Sequence, residues 1–240
     1  MALKAVLFDF NGVIINDEPL HQKLIEQLLI EENLRPKPEE FRELCLGRSD
    51  RACLTDLLVR RGRVVTEDYL NGLIARKAQA YAQQLAVIEQ IPSYPGLTDL
   101  IFKARSIQLP MAVVSGAIRS EIDLVLNRLE LSDYFAVIVA GDDIPTSKPD
   151  PMGYLLAIER LNQRFPDLQL QPGNCLAIED TFAGIQAAKA AGIAVVGVAN
   201  SYPFHMMHRS ANWVVDYLSD VDLDWVQQVL SLPSPRLAEE

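Results

Sequence analysis

No run of 18 or more apolar residues occurs in the sequence, and a helix shorter than that does not span a bilayer core. The longest candidate, Ala187 to Ala199, is broken by Lys189 and Gly192, so no membrane partner is expected. Positive charge is scarce. The 22 Lys and Arg against 32 Asp and Glu leave a net charge of −10, with a pI near 4.8. Nucleic acids and anionic membrane surfaces want a basic face, which argues against both as partners. A small anionic substrate stays open, because charge within a cleft can oppose the global sign. Cysteine is sparse: Cys45, Cys53 and Cys175 are an odd set with no metal-ligand spacing. Such usage suits reduced thiols and a cytoplasmic location, with Cys175 expected as a small core residue at the start of a strand. The N-terminus is apolar only as far as Phe8 before Asp9 interrupts it, too short for a signal peptide. The Gly-x4-Gly-Lys-Ser/Thr loop is missing, and no Gly-x-Gly-x2-Gly follows the first strand, so nucleotide-binding readings lack support. There is no internal repeat.

What is present is a 240-residue chain, 49% apolar, long enough for one large domain or a domain with an inserted module. Lys4 to Phe8 reads as a short buried strand. Residues 16–92 read as helices alone. Asn16-Asp17-Glu18-Pro19 has the composition of a helix start, and Leu20, Leu24, Ile25, Leu28 and Leu29 then form one apolar face. Ser49 is placed to cap a helix from Asp50 to about Arg61, stopped by Gly62, and Thr66 opens a long helix to about Val87. Ile91 to Gly96 is a turn-rich return. From there apolar runs alternate with helices: Met111–Ser115, Tyr134–Ala140, Cys175–Ile178, Ala194–Val198 and a short edge run Trp213–Val215. Short, nearly continuous apolar runs separated by helices imply a parallel sheet covered on both faces. The expected fold class is therefore α/β. A Rossmann-like parallel-sheet core, residues 1–15 and 93–232, carries an inserted all-helical cap, residues 16–92, and the tail 233–240 is expected to be disordered. A helical module set directly after the first strand is placed to exclude water from that strand's end.

Polar residues stand at the ends of these apolar runs, where open α/β sheets bind ligands. They are Asp9 with Asn11 and Gly12, Ser115 with Gly116, Lys148 between Ser147 and Pro149, and the pair Glu179-Asp180. Taken singly, Ser115-Gly116 reads as a turn, Lys148-Pro149 as surface, and Glu179-Asp180 before Thr181 as helix capping. Taken together they supply the parts for attack on a phosphoryl group. A carboxylate nucleophile, Asp9, meets anionic repulsion and needs compensating charge, which a divalent cation and a lysine provide. On this reading Asp9, Glu179 and Asp180 hold Mg²⁺, Lys148 neutralises phosphoryl oxygens, and Ser115 donates a hydroxyl beside the open backbone of Gly116.

These segments, in this order, resemble the four motifs of the haloacid dehalogenase superfamily of phosphohydrolases. The helical insertion resembles the cap of the subgroup that contains β-phosphoglucomutase and phosphoglycolate phosphatase. The run Glu179 to Gly192 is similar to the family's fourth motif, and Cys45 to Ser49 is similar to the cap's substrate-facing loop. The resemblance implies a Mg²⁺-dependent phosphatase of a small phosphorylated metabolite, acting as a monomer or small homo-oligomer through an aspartyl-phosphate at Asp9. It implies substrate contacts at Arg48, with His21 and Arg119 as further candidates beside their readings as solvated helix residues. His205 and His208 have no matching cluster and read as surface. Dehalogenation is disfavoured by Glu179-Asp180 and Gly12-Val13. Phosphonate cleavage would want a cap lysine, and Lys23 alone occurs in the first cap helix.

The departure is Asn11, where the resemblance implies a second acid that protonates the leaving oxygen. Asn offers only its backbone carbonyl to the metal and transfers no proton. Four readings follow: a slow or specialised phosphatase, an inactivating substitution, a non-catalytic or regulatory binder of a phosphorylated ligand, or an Asn-Gly pair that deamidates to the acid. A phosphomutase related to β-phosphoglucomutase is a further alternative, and Asn11 argues against it.

Overall fold

The computed structural model describes residues 2–231; the tail expected to be disordered lies outside them. The chain opens with strand β1 (Ala5–Phe8) and then runs through helices α1 (Glu18–Glu31), α2 (Pro38–Glu40, continuing as a π-helical turn Phe41–Cys45), α3 (Asp50–Val59) and α4 (Glu67–Ala86). The remainder alternates: α5 (Leu97–Ser106), β2 (Met111–Val114), α6 (Arg119–Arg128), β3 (Phe135–Val139), α7 (Met152–Arg164), β4 (Cys175–Glu179), α8 (Phe182–Ala190), β5 (Ala194–Val198), α9 (Phe204–Met207), β6 (Trp213–Val215) and α10 (Leu223–Ser231). Six strands pair in parallel in the order β3-β2-β1-β4-β5-β6.

The strands are apolar at nearly every position because both sheet faces are covered. Their two-residue period divides the side chains between two layers. Val6, Phe8, Met111 and Val113 pack with Leu100, Ile101, Ile122 and Leu126 of α5 and α6. Ala5, Leu7, Ala112 and Val114 pack with Tyr154, Ala157, Ile185 and Ala188 of α7 and α8. The inserted helices bury a separate cluster, Ile25, Leu28, Leu29, Leu54, Leu57, Leu58, Leu70 and Leu73 among its members. Leu24, Tyr81 and Leu85 from the same helices enter the main core. Ser49 and Thr66 cap α3 and α4 through side chains that accept from Ala52 N and Tyr69 N.

The two chain crossings between sheet domain and insertion lie side by side. Ile15 and Ser93 form an antiparallel bridge, and Asn16 N donates to Pro92 O at 2.7 Å. A buried ionic cluster adds a second tie. Lys77 of α4, 1% exposed, bonds Asp50 of α3 at 2.6 Å and lies 3.3 Å from Glu121 of α6, itself 3% exposed. Burial, with Asp50 adding to it, pushes the Glu121 carboxyl above its ordinary range against the pull of Lys77. Removing one member of such a cluster leaves buried charge uncompensated. Lys77→Met is therefore expected to destabilise the fold by about 3–5 kcal/mol, read as a lower urea midpoint; an unchanged midpoint would remove the cluster from the account of cap docking.

One expectation from composition is corrected. Cys45 and Cys53, expected as separate reduced thiols, form a disulfide with Cα atoms 4.5 Å apart. The π-helical turn ending at Cys45 brings it back over the first turn of α3, a proximity that a spacing of eight residues does not reveal. Cys175 matches its expectation as a buried residue, and burial pushes its thiol up to about 12. No helix among the described residues is long and apolar enough to cross a membrane.

Candidate active site

Strand β1 is the point where the sheet order reverses: the chain builds outward to β2 and β3 on one side, then returns to place β4, β5 and β6 on the other. The crevice beyond the carboxyl ends of the strands at such a point is where α/β sheets bind ligands. Asp9 follows β1, Ser115 follows β2, and Glu179 ends β4 with Asp180 next to it. Lys148 arrives from the β3–α7 loop. All five are nearly inaccessible, at 0–7% exposure.

Lys148 Nζ lies 2.7 Å from Asp9 Oδ1 and 2.7 Å from Glu179 Oε1. Phe10 N also donates to Asp9 Oδ1, at 2.7 Å. Both bonds to Asp9 thus fall on one oxygen. Tyr154 OH donates to Glu179 Oε1, and Ser201 Oγ donates to Asp180 Oδ2. Glu179 Oε2 and Asp180 Oδ1 are buried with no hydrogen-bond partner. One lysine stands among three carboxylates, so burial and the Asp9 charge push Glu179 up to about 8, and burial with Glu18 and Asp9 raises Asp180 well above the carboxylate range. Burial opposes the Lys148 charge, but Asp9 and Glu179 outweigh it and hold that amine above its ordinary value.

One oxygen from each of Asp9, Glu179 and Asp180 falls within 4.8 Å of the others. Two orphaned buried oxygens, an all-oxygen donor set and an excess of negative charge fit a hard divalent cation. Two glycines shape this cluster. At Gly12, with φ +80°, a Cβ would stand 1.9 Å from Asp180 Oδ2; at Gly184 it would stand 1.9 Å from Glu179 Oε2. The capping reading of Glu179-Asp180 does not hold. Thr181 caps α8, accepting from Gly184 N at 3.2 Å, which leaves both acids for the cluster.

Asn11 lies at the rim. Its Nδ2 donates to Asp17 Oδ1 at 2.9 Å and stands 3.1 Å from His21 Nε2, which is 3.1 Å from Asp17 Oδ2. Burial and Lys77 press the His21 pKa down, but Asp17 outweighs them and leaves it above its ordinary value. Burial likewise raises Asp17, yet the His21 charge and hydrogen bonds from His21, Asn11 and Tyr81 bring it below the usual range. The two shifts agree on an ion pair. With His21 protonated, Nε2–H and Asn11 Nδ2–H both donate, so the contact between them is no bond and Asp17 accepts from each. Asp17 had the look of a helix cap in the sequence. It makes no side-chain cap bond and instead holds Asn11, His21 and Tyr81.

A cavity of about 570 Å³, its opening to solvent included, lies between sheet domain and cap, lined by Asp9, Asn11, His21, Arg48, Lys77 and Gly116 among others. Ser115 opens instead on a smaller adjoining cavity with Lys148, Ser147 and Tyr154. Its Oγ accepts from Ala117 N at 3.0 Å, which leaves the O–H as a donor. Cap and sheet domain meet closely here: a Cβ at Gly116 would stand 2.8 Å from the Arg48 backbone, one at Gly47 2.4 Å from Thr181 Oγ1, and Ser49 N donates to Ser147 Oγ at 2.8 Å. Arg48 lines the cavity, but its Nη1 is held by Leu44 O at 2.9 Å and Asp56 at 2.7 Å. Arg119 is not brought to the site. It is exposed and pairs with Asp123 one helical turn on, at 2.9 Å, on the face of α6 opposite the buried Glu121. Sequence reasoning missed Tyr154, Ser201 and Asn200, whose Nδ2 donates to Gly12 O at 2.6 Å. The polar pair Asn200-Ser201 directly after an apolar strand was the available signal; Tyr154, inside an amphipathic helix, offered none.

Residues 3–192 match the haloacid dehalogenase-like hydrolases. A phosphorylated carbohydrates phosphatase of Thermotoga maritima is 30% identical, over 83% of this chain and 87% of its own. β-Phosphoglucomutase of Bacillus subtilis is 28% identical, over 94% and 95% of the two chains. The crystal structure of β-phosphoglucomutase from Clostridium difficile superposes with a TM-score of 0.81, covering 95% of this chain and 97% of that one at 24% identity, a likeness of fold. Sequence, fold and the placement of carboxylates and lysine at the strand ends agree: this chain belongs to the haloacid dehalogenase-like hydrolase family.

Proposed function

We propose that this protein is a Mg²⁺-dependent phosphatase of small organic phosphates, acting through an aspartyl-phosphate at Asp9. The observation that carries the reading is the buried constellation of Asp9, Lys148, Glu179 and Asp180, with two carboxylate oxygens lacking partners. In it Asp9 is the nucleophile. Lys148 holds Asp9 in place and, once substrate enters, turns part of its charge to the phosphoryl oxygens. Ser115 and Gly116 receive the phosphoryl group from the side of β2. Asp9, Glu179, Asp180 and the Asn11 carbonyl would hold Mg²⁺, which supplies charge neutralisation at the transferring group. Residues 1–15 and 93–232 carry this chemistry, and residues 16–92 cover it. A small phosphorylated substrate is supported by the relatives, which include a phosphatase of phosphorylated carbohydrates.

Asn11 narrows the proposal. Its amide is committed to Asp17, so it neither gives a proton to a leaving oxygen nor takes one from a sugar hydroxyl, and a mutase reading loses its support. The same commitment favours a second reading, a binder of phosphorylated ligands with little turnover. Phosphate release from sugar, alkyl, aryl and acyl phosphates, measured in Mg²⁺ and in excess chelator beside Asp9→Ala, separates them. Release well above the Asp9→Ala blank, abolished by chelator, is expected. Release no faster than the blank on every ester would leave the binding reading.

A further inference from the structure

The cap end of the cavity bears on what leaves with the phosphate, given the phosphatase reading above. Its wall is apolar, formed by Ile25, Phe41, Leu46 and the Cys45–Cys53 disulfide. Three basic side chains line that end of the cavity, and each has an acidic neighbour, Asp17 in the case of His21. Arg48 is held by Leu44 O and Asp56, and Lys77 by Asp50 and Glu121. At the N-terminus of α3, Ser49 N donates to Ser147 Oγ, Ala52 N donates to Ser49 Oγ, and Asp50 places a carboxylate in the first turn. Glu18 and Asp50 line the cavity as well. A second phosphate or carboxylate on the substrate would meet these acids, and the basic groups beside them already face carboxylates. At the reacting end, Asn11 has its amide N–H turned to Asp17 and passes no proton to the ester oxygen, which favours a leaving group that departs without one.

We propose that the substrate is a phosphate monoester whose phosphoryl group is its sole anionic group, carried on an apolar aromatic leaving group with a weakly basic oxygen. A carboxylate oxygen of Asp9 bonds to phosphorus as the ester P–O bond breaks, and the aryl oxygen leaves with that electron pair as an aryloxide. Water then cleaves the acyl-phosphate, restoring the Asp9 carboxylate and releasing phosphate. One proton of that water ends on the aryloxide and the other on phosphate. An aryloxide is stable enough to leave without the acid that Asn11 cannot be, and the ring occupies the apolar wall.

Binding of aryl phosphonates, which cannot be cleaved at an ester oxygen, tests this independently of turnover. In Mg²⁺, calorimetry is expected to find 4-methylphenylphosphonate bound at least about tenfold more tightly than 4-carboxyphenylphosphonate, a gap of about 1.4 kcal/mol. Arg48→Met is expected to weaken the carboxylated compound no more than the methylated one, so that the ratio of the two affinities is kept. Equal or tighter binding of the carboxylated compound, its weakening by tenfold relative to the methylated one in Arg48→Met, or no binding of either compound would overturn the proposal. Failure to release phosphate from any ester, with the ranking intact, would remove the phosphatase reading and leave the ligand class standing.

Discussion

Asp9→Asn is expected to lower phosphate release from every ester by on the order of 10⁴-fold or more, the scale on which loss of a covalent nucleophile acts in other hydrolases. The amide cannot form the acyl-phosphate, so trapping with labelled substrate would find no phosphorylated protein. The fold should not suffer. Phe10 N can still donate to an amide oxygen at this position, and Lys148 keeps Glu179 at 2.7 Å. Asp9 also contributes to the upward pressure on Glu179 and Asp180. Neutralising it relieves repulsion among three buried acids, so the variant without Mg²⁺ should melt at or above the temperature of the parent while binding Mg²⁺ more weakly. Retained turnover would place the nucleophile elsewhere, and a variant that melts well below the parent would show that the Asp9–Lys148 pair outweighs the repulsion among the acids.

Asn11→Asp is expected to raise turnover of alkyl phosphates by about 10²–10⁴-fold, the usual worth of general acid–base assistance. Aryl phosphates, whose oxygen needs no proton, should gain much less in the first step. The new carboxylate would stand where Asn11 now meets Asp17 Oδ1 at 2.9 Å. Two carboxylates at that distance cannot both ionise freely, so one carboxyl of the pair is raised. A raised carboxyl binds protons more readily folded than unfolded. The variant should therefore lose stability relative to the parent as pH climbs from the ordinary carboxyl value through the raised one, and recover it on acidification. Steady-state rates on paired alkyl and aryl esters, with urea midpoints at several pH values, check both parts. An alkyl rate unchanged by the substitution would show that proton transfer does not limit this chain.

The fold and the gathering of the candidate residues at the strand ends were legible in the sequence for a common reason. Strands buried on both faces must be apolar throughout, so a carboxylate or lysine interrupting the run at its end stands out, as Asp9, Glu179 and Asp180 do. Caps were equally readable, because Ser49 and Thr66 act on backbone groups within three residues of themselves. What escaped depends on distance in the chain. Asp17 has the composition of a cap, and only the approach of Tyr81, 64 residues away, shows its other use. Cys45 and Cys53 are joined through a π-helical turn that no apolar period announces. Arg48 and Arg119 were both candidates, Arg48 the stronger for its place in the cap loop. Their acidic neighbours Asp56 and Asp123 were visible in the sequence, but which arginine faced a cavity was not.

The side-by-side crossings at Ile15–Asn16 and Pro92–Ser93 make the insertion a cassette. Entry and exit share one address, so two cuts a few ångströms apart exchange everything between them and leave the sheet uncut. The cluster of carboxylates and lysine comes from one side of that junction, and most of the wall of the adjoining cavity comes from the other. A lineage can thus change its clientele by grafting or drift within the insert while the chemistry is inherited whole. The limit on such exchange is set by the docking points, Gly47 against Thr181 and Gly116 against Arg48, where any incoming cassette must present backbone and not bulk.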